Sequence, residues 1–314
     1  MKFKKPKFWD FKKPSLISYL LFPFTFLISL NNFFLKFKSK KKNEKIKAIC
    51  VGNIYLGGTG KTPTTVTIYE LLKKLSFKVS TAKKFYVSQF DENLLLENRT
   101  KFITSNNRNE ILLKAIEQGE QIIIFDDGLQ DKTISYDIEF VCFDSENFVG
   151  NGFLIPAGPL REKLESLNKY DAVFLKSNND NTHEQTNLIK KFNKNIKIFE
   201  TYFEIMNLNK FNLDDEFIIF SGIGNPASFK KILINNKFKV IEEIIFGDHY
   251  NYKKEEIENI LSLAKEKKLK VITTEKDFVK IEKFKFDNIK FIQLNLKIKD
   301  EKQLIDFLKS KIYE

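Results

Sequence analysis

From Gly57 to Thr62 the chain reads Gly-Gly-Thr-Gly-Lys-Thr, directly after an apolar run, and that string can hold phosphate. Backbone N–H groups of a glycine-rich loop, followed by a helix N-terminus, cradle a polyphosphate. Gly57, Gly58, Thr59 and Gly60 supply the tight turn. Lys61 reaches the β- and γ-phosphates as a mobile positive charge, and Thr62 offers its hydroxyl to Mg²⁺. The strict form of such a loop has glycine five positions before Gly60, where this chain has Tyr55. An ordinary glycine turn ahead of a helix is the plain alternative. The Lys-Thr pair after an apolar strand favours a nucleoside-triphosphate site.

Two more segments carry groups suited to phosphoryl chemistry. Residues 121–125 form an apolar strand that delivers Asp126 and Asp127 at its end, where a P-loop enzyme places its Mg²⁺ partner. A turn after a strand would use the same Asp-Asp-Gly residues for geometry alone. Residues 151–162 hold a Gly/Pro scaffold that ends in Arg161 and Glu162. A rigid loop of this kind can aim Arg161 at developing phosphoryl charge; taken alone, it reads as an interdomain linker.

The elements that position these groups alternate. Strands are expected at residues 46–52, 77–82, 121–125 and 138–144, with helices at 62–75 and 107–118. After the Gly/Pro break at 150–159, further strands are expected near 172–175, 196–202, 217–220, 240–246, 270–274 and 289–294, with helices at 227–235, 253–267 and 301–311. Short apolar strands alternating with helices imply parallel βαβ units. The expected architecture is α/β, with two lobes. A hydrophobic content of 42% and an aromatic content of 14% exclude wholesale disorder. Cys50 and Cys142 each fall inside an apolar strand, which fits a reduced compartment with neither disulfide nor metal at those positions.

The net charge of +12 points to polyanionic company: nucleic acid, an anionic membrane surface or phosphorylated substrates. No aromatic–basic recognition motif supports nucleic acid. Residues 16–30 are almost unbroken apolar sequence, flanked by Lys2, Lys4, Lys5, Lys7, Lys12 and Lys13 before and Lys36, Lys38, Lys40, Lys41 and Lys42 after. A spanning helix needs about 20 apolar residues; this run is 15 long and contains Pro23. A Lys tract stands where a signal peptide would have its cleavage site. Charge on both flanks favours a helix lying on an anionic cytoplasmic leaflet. The alternative is an amphipathic helix packed on the protein body.

Phe8-Trp9, Val51-Gly52-Asn53, Gly57 through Pro63, Asp126 through Gln130, Gly150-Asn151-Gly152, Pro156 through Glu162, Gly222 through Pro226, Asp248-His249-Tyr250 and Thr274 through Asp277 occur in that order. The series resembles the tetraacyldisaccharide 4′-kinase family, the lipid A 4′-kinases, over nearly the whole chain. The resemblance implies transfer of the γ-phosphate of ATP, with Mg²⁺, to the 4′-hydroxyl of a lipid-A-precursor disaccharide 1-phosphate. The reaction would take place at the cytoplasmic face of the bacterial inner membrane. It implies two Rossmann-like, P-loop-type lobes with mostly parallel sheets, a short β linker and an N-terminal helix touching the bilayer. It gives Asp91 the part of catalytic base, assisted by His249, beside the catalytic residues Lys61 and Arg161. The family's glycine-rich segment just upstream of Asp91 is replaced here by Lys83-Lys84-Phe85-Tyr86. Thr62, Asp126, Asp127 and Glu162 are the candidate metal ligands, with direct contact open among the three acids. The expected division is a membrane-surface segment at 1–45, a P-loop kinase lobe at 46–165 and a second α/β lobe at 166–314, in a monomer that binds no nucleic acid.

Two readings compete. A P-loop ATPase switch of the metallochaperone or partitioning type shares the Gly-Gly-x-Gly-Lys-Thr loop, but such switches carry a Lys where this chain has Leu56. A membrane-bound anion-binding module without turnover would leave Asp126, Asp127, Arg161 and Glu162 idle.

Overall fold

The computed structural model describes residues 5–35, 43–86, 90–131, 133–177 and 181–314. Strand β1 (Lys47–Gly52) is buried from Ala48 onward. It pairs in parallel with β4 (Ile122–Asp126) on one side and β5 (Ile138–Asp144) on the other. Parallel strands β2 (Val79–Lys84) and β3 (Phe102–Ser105) extend the β4 side, while β6 (Ala172–Lys176) and β7 (Lys197–Ile205) extend the β5 side. With β12 (Leu294–Ile298) beside β7, the order is β12-β7-β6-β5-β1-β4-β2-β3.

Successive side chains of a strand enter opposite faces. Ala48 and Cys50 join Ile123, Phe125, Val141 and Phe143 in one core; Ile49 and Val51 join Ile122, Ile124 and Phe140 in the other. Helices α5 (Arg108–Glu117) and α6 (His183–Phe192) cover the first face through Ile111, Leu112 and Ile189. Helices α3 (Lys61–Lys74) and α10 (Glu301–Tyr313) cover the second through Ile68, Leu72, Leu304 and Leu308. Because both faces are dry, the central strands are apolar at nearly every position instead of alternating.

A second sheet has the order β11-β10-β8-β9, built from β8 (Glu216–Ser221), β9 (Lys239–Ile245), β10 (Lys270–Thr274) and β11 (Ile289–Ile292), all parallel. Its two cores draw on α7 (Pro226–Asn235), α8 (Lys254–Glu266) and α9 (Glu275–Ile281).

The chain divides into two compact units: Met1–Lys84, Thr100–Tyr202 and Lys297–Glu314 make one, Phe85–Arg99 and Phe203–Leu296 the other. This differs from the expected boundary at 165/166. Strands β6 and β7 continue the first sheet beyond that point, and α10 returns to bury Leu304 and Leu308 in the first core. Helix α4 (Phe90–Arg99) belongs with the second unit, although both neighbouring strands lie in the first. The strand expected at 289–294 is two strands, β11 and β12, in different sheets.

The N-terminal segment is not a separate body. Trp9 is 1% exposed and donates its indole N–H to Pro156 O at 3.0 Å. Asn151 N–H donates to Trp9 O, and the Asn151 side chain donates to Ser18 Oγ and Ala157 O, each at 2.9 Å. Residue 150 has to be glycine, because a Cβ there would lie 2.1 Å from Trp9 O. Beyond this anchor, Ser15 and Ser18 form a capping box for α1 (Leu16–Leu21). Pro23 sits in a 3₁₀ turn, and α2 (Thr25–Leu35) follows. Among the described residues no helix is long and apolar enough to cross a membrane. Lys2, Lys4, Lys36, Lys38, Lys40, Lys41 and Lys42 of the basic flanks lie outside the described residues.

Candidate active site

Gly60 caps α3 in a left-handed conformation (φ 84°), which a side chain resists, so the loop turns directly into the helix. The loop is braced from within: the buried Asn53 amide donates to Thr59 Oγ1 at 3.0 Å and to Gly57 O at 3.3 Å. It is braced from outside by the Gly/Pro segment, where Leu56 N–H donates to Pro159 O at 2.8 Å and Arg161 N–H to Ile54 O at 2.7 Å. Tyr55, standing where the strict loop has glycine, is 2% exposed and points to the N-terminal arm. Its hydroxyl donates to Asp10 and accepts from Lys5 Nζ at 3.0 Å. Burial and the Asp10 carboxylate hold this phenol well above its usual range.

Lys61 and Thr62 begin α3, and both meet the acids at the end of β4. The Thr62 hydroxyl donates to Asp126 Oδ2 at 2.8 Å. The Lys61 ammonium lies 3.9 Å from Asp127 Oδ2, and Arg161 Nη1 donates to Asp127 Oδ1 at 3.2 Å and to Gln130 Oε1 at 3.1 Å. Asp127 adopts φ 60°, a left-handed backbone uncommon for a residue with a side chain. Five of the expected residues, Lys61, Thr62, Asp126, Asp127 and Arg161, are therefore brought together. Glu162 faces elsewhere: its carboxylate accepts from Lys169 Nζ at 2.9 Å, the Tyr170 hydroxyl at 3.0 Å and Gln130 Nε2 at 3.1 Å. Burial alone would raise its pKa; the Lys169 charge and these hydrogen bonds outweigh burial and lower it.

The expected base lies in a helix of the second unit. Asp91 opens α4 and is 3% exposed. Its Oδ1 is 2.8 Å from His249 Nδ1, and its Oδ2 is 3.4 Å from both Lys276 Nζ and Lys280 Nζ. His249 is held in a left-handed turn (φ 55°) by its N–H to Gly222 O at 3.2 Å. Burial opposes ionisation of Asp91, but the His249 hydrogen bond and the Lys276, His249 and Lys280 charges prevail and bring its pKa down to about 2. The glycine motif at 222–224 and the Thr274–Asp277 motif thus meet Asp91 within one unit.

Three contributors escaped the sequence reading. Lys83, 1% exposed at the end of β2, has its ammonium 3.0 Å from Asp126 Oδ2. Gln130 bridges the Asn53 carbonyl, Glu162 and Arg161. Lys280 reaches Asp91 from α9. The available signals were a lysine pair closing an otherwise buried strand and a Lys276/Lys280 spacing of i, i+4 around Asp277.

A glycine-rich loop opening a helix at the end of a central parallel strand, with the buried Asp126 and the half-buried Asp127 at the end of the strand beside it, defines a P-loop protein of the nucleoside-triphosphate class. A family model described as tetraacyldisaccharide-1-P 4′-kinase matches residues 17–313, and the chain belongs to that family. It is 44% identical over 310 residues to the tetraacyldisaccharide 4′-kinase of Pelagibacter ubique, covering 98% of each chain. It is 36% identical over 293 residues to the Rickettsia bellii tetraacyldisaccharide 4′-kinase, covering 88% of this chain and 89% of the relative. A crystal structure of LpxK from Aquifex aeolicus in complex with ATP shares the fold, with a TM-score of 0.72, 24% identity, and coverage of 95% of this chain and all of that one.

Proposed function

We propose that this chain phosphorylates the 4′-hydroxyl of a tetraacyldisaccharide 1-phosphate, with ATP as donor, giving the 1,4′-bisphosphate and ADP. The observation that carries this reading is the junction of Lys61, Thr62, Asp126, Asp127 and Arg161 in a chain of this family. The loop amides and α3 N-terminus bind the donor's phosphates. Lys61 and Arg161 are stored on Asp127, close to the loop, and can turn to the γ-phosphoryl as its charge develops. Asp91 accepts the proton of the attacking hydroxyl, and His249 Nδ1 fixes the orientation of that carboxylate.

The donor set at β4 fits Mg²⁺. A hard dication binds through a few oxygen ligands together with substrate phosphates, and the Thr62 hydroxyl and Asp126 carboxylate meet at 2.8 Å. These two residues would hold the ion, which supplies charge neutralisation at the transferring phosphate. Glu162 instead braces Gln130 and thereby Arg161.

The exposed apolar side chains of Leu16, Leu20, Phe26 and Leu27 support docking of α1 and α2 on the acyl–headgroup boundary, with the exposed Lys7, Lys12 and Lys13 toward anionic lipid. The protein would then work as a monomer on the cytoplasmic face of the inner membrane, where its lipid acceptor lies.

Incubation of the purified protein with γ-labelled ATP, Mg²⁺ and the disaccharide 1-phosphate tests the assignment. Label in the lipid is the expected result; label only in free phosphate would mean an ATPase switch, and neither would mean a binding module.

A further inference from the structure

Asp277 is fully buried and fixed at one end: its Oδ2 accepts the Thr274 hydroxyl at 2.7 Å and the Gly222 N–H at 2.9 Å. Its Oδ1 lies 2.7 Å from Lys280 Nζ. The Lys280 side chain is 7% exposed, and its ammonium stands 5.3 Å from the centroid of the Tyr252 ring. The same ammonium is 3.4 Å from Asp91 Oδ2. Lys276 is placed differently, spread over Asp91 Oδ2, Glu92 Oε1 and Asp248 Oδ1 at 3.4–3.5 Å. A lysine held between a rigid carboxylate, an aromatic face and Asp91 has little room to move.

We propose that Lys280 is a positioning residue of the phosphoryl transfer: anchored on Asp277, it holds Asp91 Oδ2 so that Oδ1 stays on His249 and the carboxylate keeps one orientation toward the acceptor hydroxyl. This rests on Asp91 being the base. Among the described residues, the titratable groups around Asp91 come from α4, α9 and two connecting segments. Glu92 comes from α4, Asp248 and His249 from the turn after β9, Tyr252 from the segment before α8, and Lys276, Asp277 and Lys280 from α9. The two carboxylates beside Lys276 compete with Asp91 for its charge, whereas among the described residues Lys280 is shared only with Asp277. A lysine in this place has two opposing effects. It keeps Asp91 ionised but lowers its intrinsic basicity; it also fixes geometry, where a misplacement of about 1 Å can cost about a hundredfold. The doubly anchored ammonium indicates that geometry dominates.

The test uses Lys280→Gln, Lys280→Arg and Asp91→Asn in the full chain, with kcat and KM measured for the labelled-ATP reaction and the Asp91 carboxyl followed by carbon NMR from low to neutral pH. In Lys280→Gln, kcat should fall about tenfold or more at unchanged KM for ATP. The Asp91 titration should move up by about one unit, as expected for loss of an adjacent opposite charge. Lys280→Arg should recover most of both. A rise in kcat, or an unmoved Asp91 titration with only a lower melting temperature, would overturn the proposal. Full turnover by Asp91→Asn would instead overturn the base assignment, leaving the NMR shift to report the Lys280–Asp91 contact on its own.

Discussion

The Lys83–Asp126 pair sets a measurable energy on the phosphate site. Asp126 is fully buried and Lys83 is 1% exposed, with the ammonium 3.0 Å from Oδ2. At that distance and an effective dielectric of about 20, the attraction is about 5.5 kcal/mol. Removing the cation also removes its own desolvation cost, and the Thr62 hydroxyl still donates to Asp126. Lys83→Met should therefore lose about 3 kcal/mol, the low end of what breaking a buried pair costs. Denaturant unfolding of the variant gives this number directly. Lys83→Met combined with Asp126→Asn should be far less damaging than the sum of the two, because the second change removes the stranded charge. Mg²⁺ should recover more stability in Lys83→Met than in the parent, since the ion binds the folded state at a carboxylate left without its ammonium. If Lys83→Met unfolds within about 0.5 kcal/mol of the parent, or the double cycle is additive, the pair does not hold the site together.

Other outcomes follow from the same geometry. Lys61→Ala should lose about a hundredfold or more in turnover with an unchanged melting temperature, as its contact with Asp127 is long, at 3.9 Å; wild-type turnover would refute the phosphate-loop assignment. Asp91 has its pKa lowered to about 2, so its stabilising contribution is complete above the unfolded carboxylate range and fades as pH falls toward 2. Asp91→Asn should accordingly flatten the acid limb of stability between about pH 4 and pH 2, measured by thermal melts. Leu16→Ser with Leu20→Ser should weaken pelleting with anionic vesicles at an unchanged melting temperature, since these side chains are 89% and 75% exposed; undiminished pelleting would refute the docking surface.

The central strands were legible in the sequence because both of their faces are covered. β1 and β4 are nearly continuous apolar runs and β5 is one broken only by Glu139 before its closing Asp144, and the expected bounds fall within a residue or two of those observed. The phosphate loop and β4 acids were legible for a local reason: their chemistry depends on neighbours in the chain. Helix α4 was not, since Phe90, Asp91, Glu92 and Asn93 give no clean apolar stripe and only Asp91, Asn93 and Leu96 are buried. Unit membership was hidden as well, because β6, β7 and α10 join the first sheet by pairing and packing with residues far away in sequence. Lys83 and Lys280 stayed invisible for a related reason. In a chain with 53 Lys and Arg, a buried lysine looks like any other until its partner 43 or 189 positions away is located. That the arm is also fixed to the body, Trp9 to Pro156 and Ser18 to Asn151, was not legible, because those partners lie more than 130 positions away.

The interleaving of the two units also fixes an order of assembly during synthesis. Leu304 and Leu308 of α10 complete the core that holds Ile49, Val51 and Ile68. Roughly 250 residues separate Lys61 from Ile312, a delay of about 12–50 s at about 5–20 residues per second. Over that interval the first sheet gains β2 to β7 and then β12, and it lacks the α10 cover on one face until its last helix is made, while Phe203–Leu296, with Phe85–Arg99 already made, forms the other unit. The unit made first is finished last. Until α10 is made, a nascent chain lacks the cover that Leu304 and Leu308 give to the face carrying Ile49, Val51 and Ile68, the kind of apolar surface that chaperones shield.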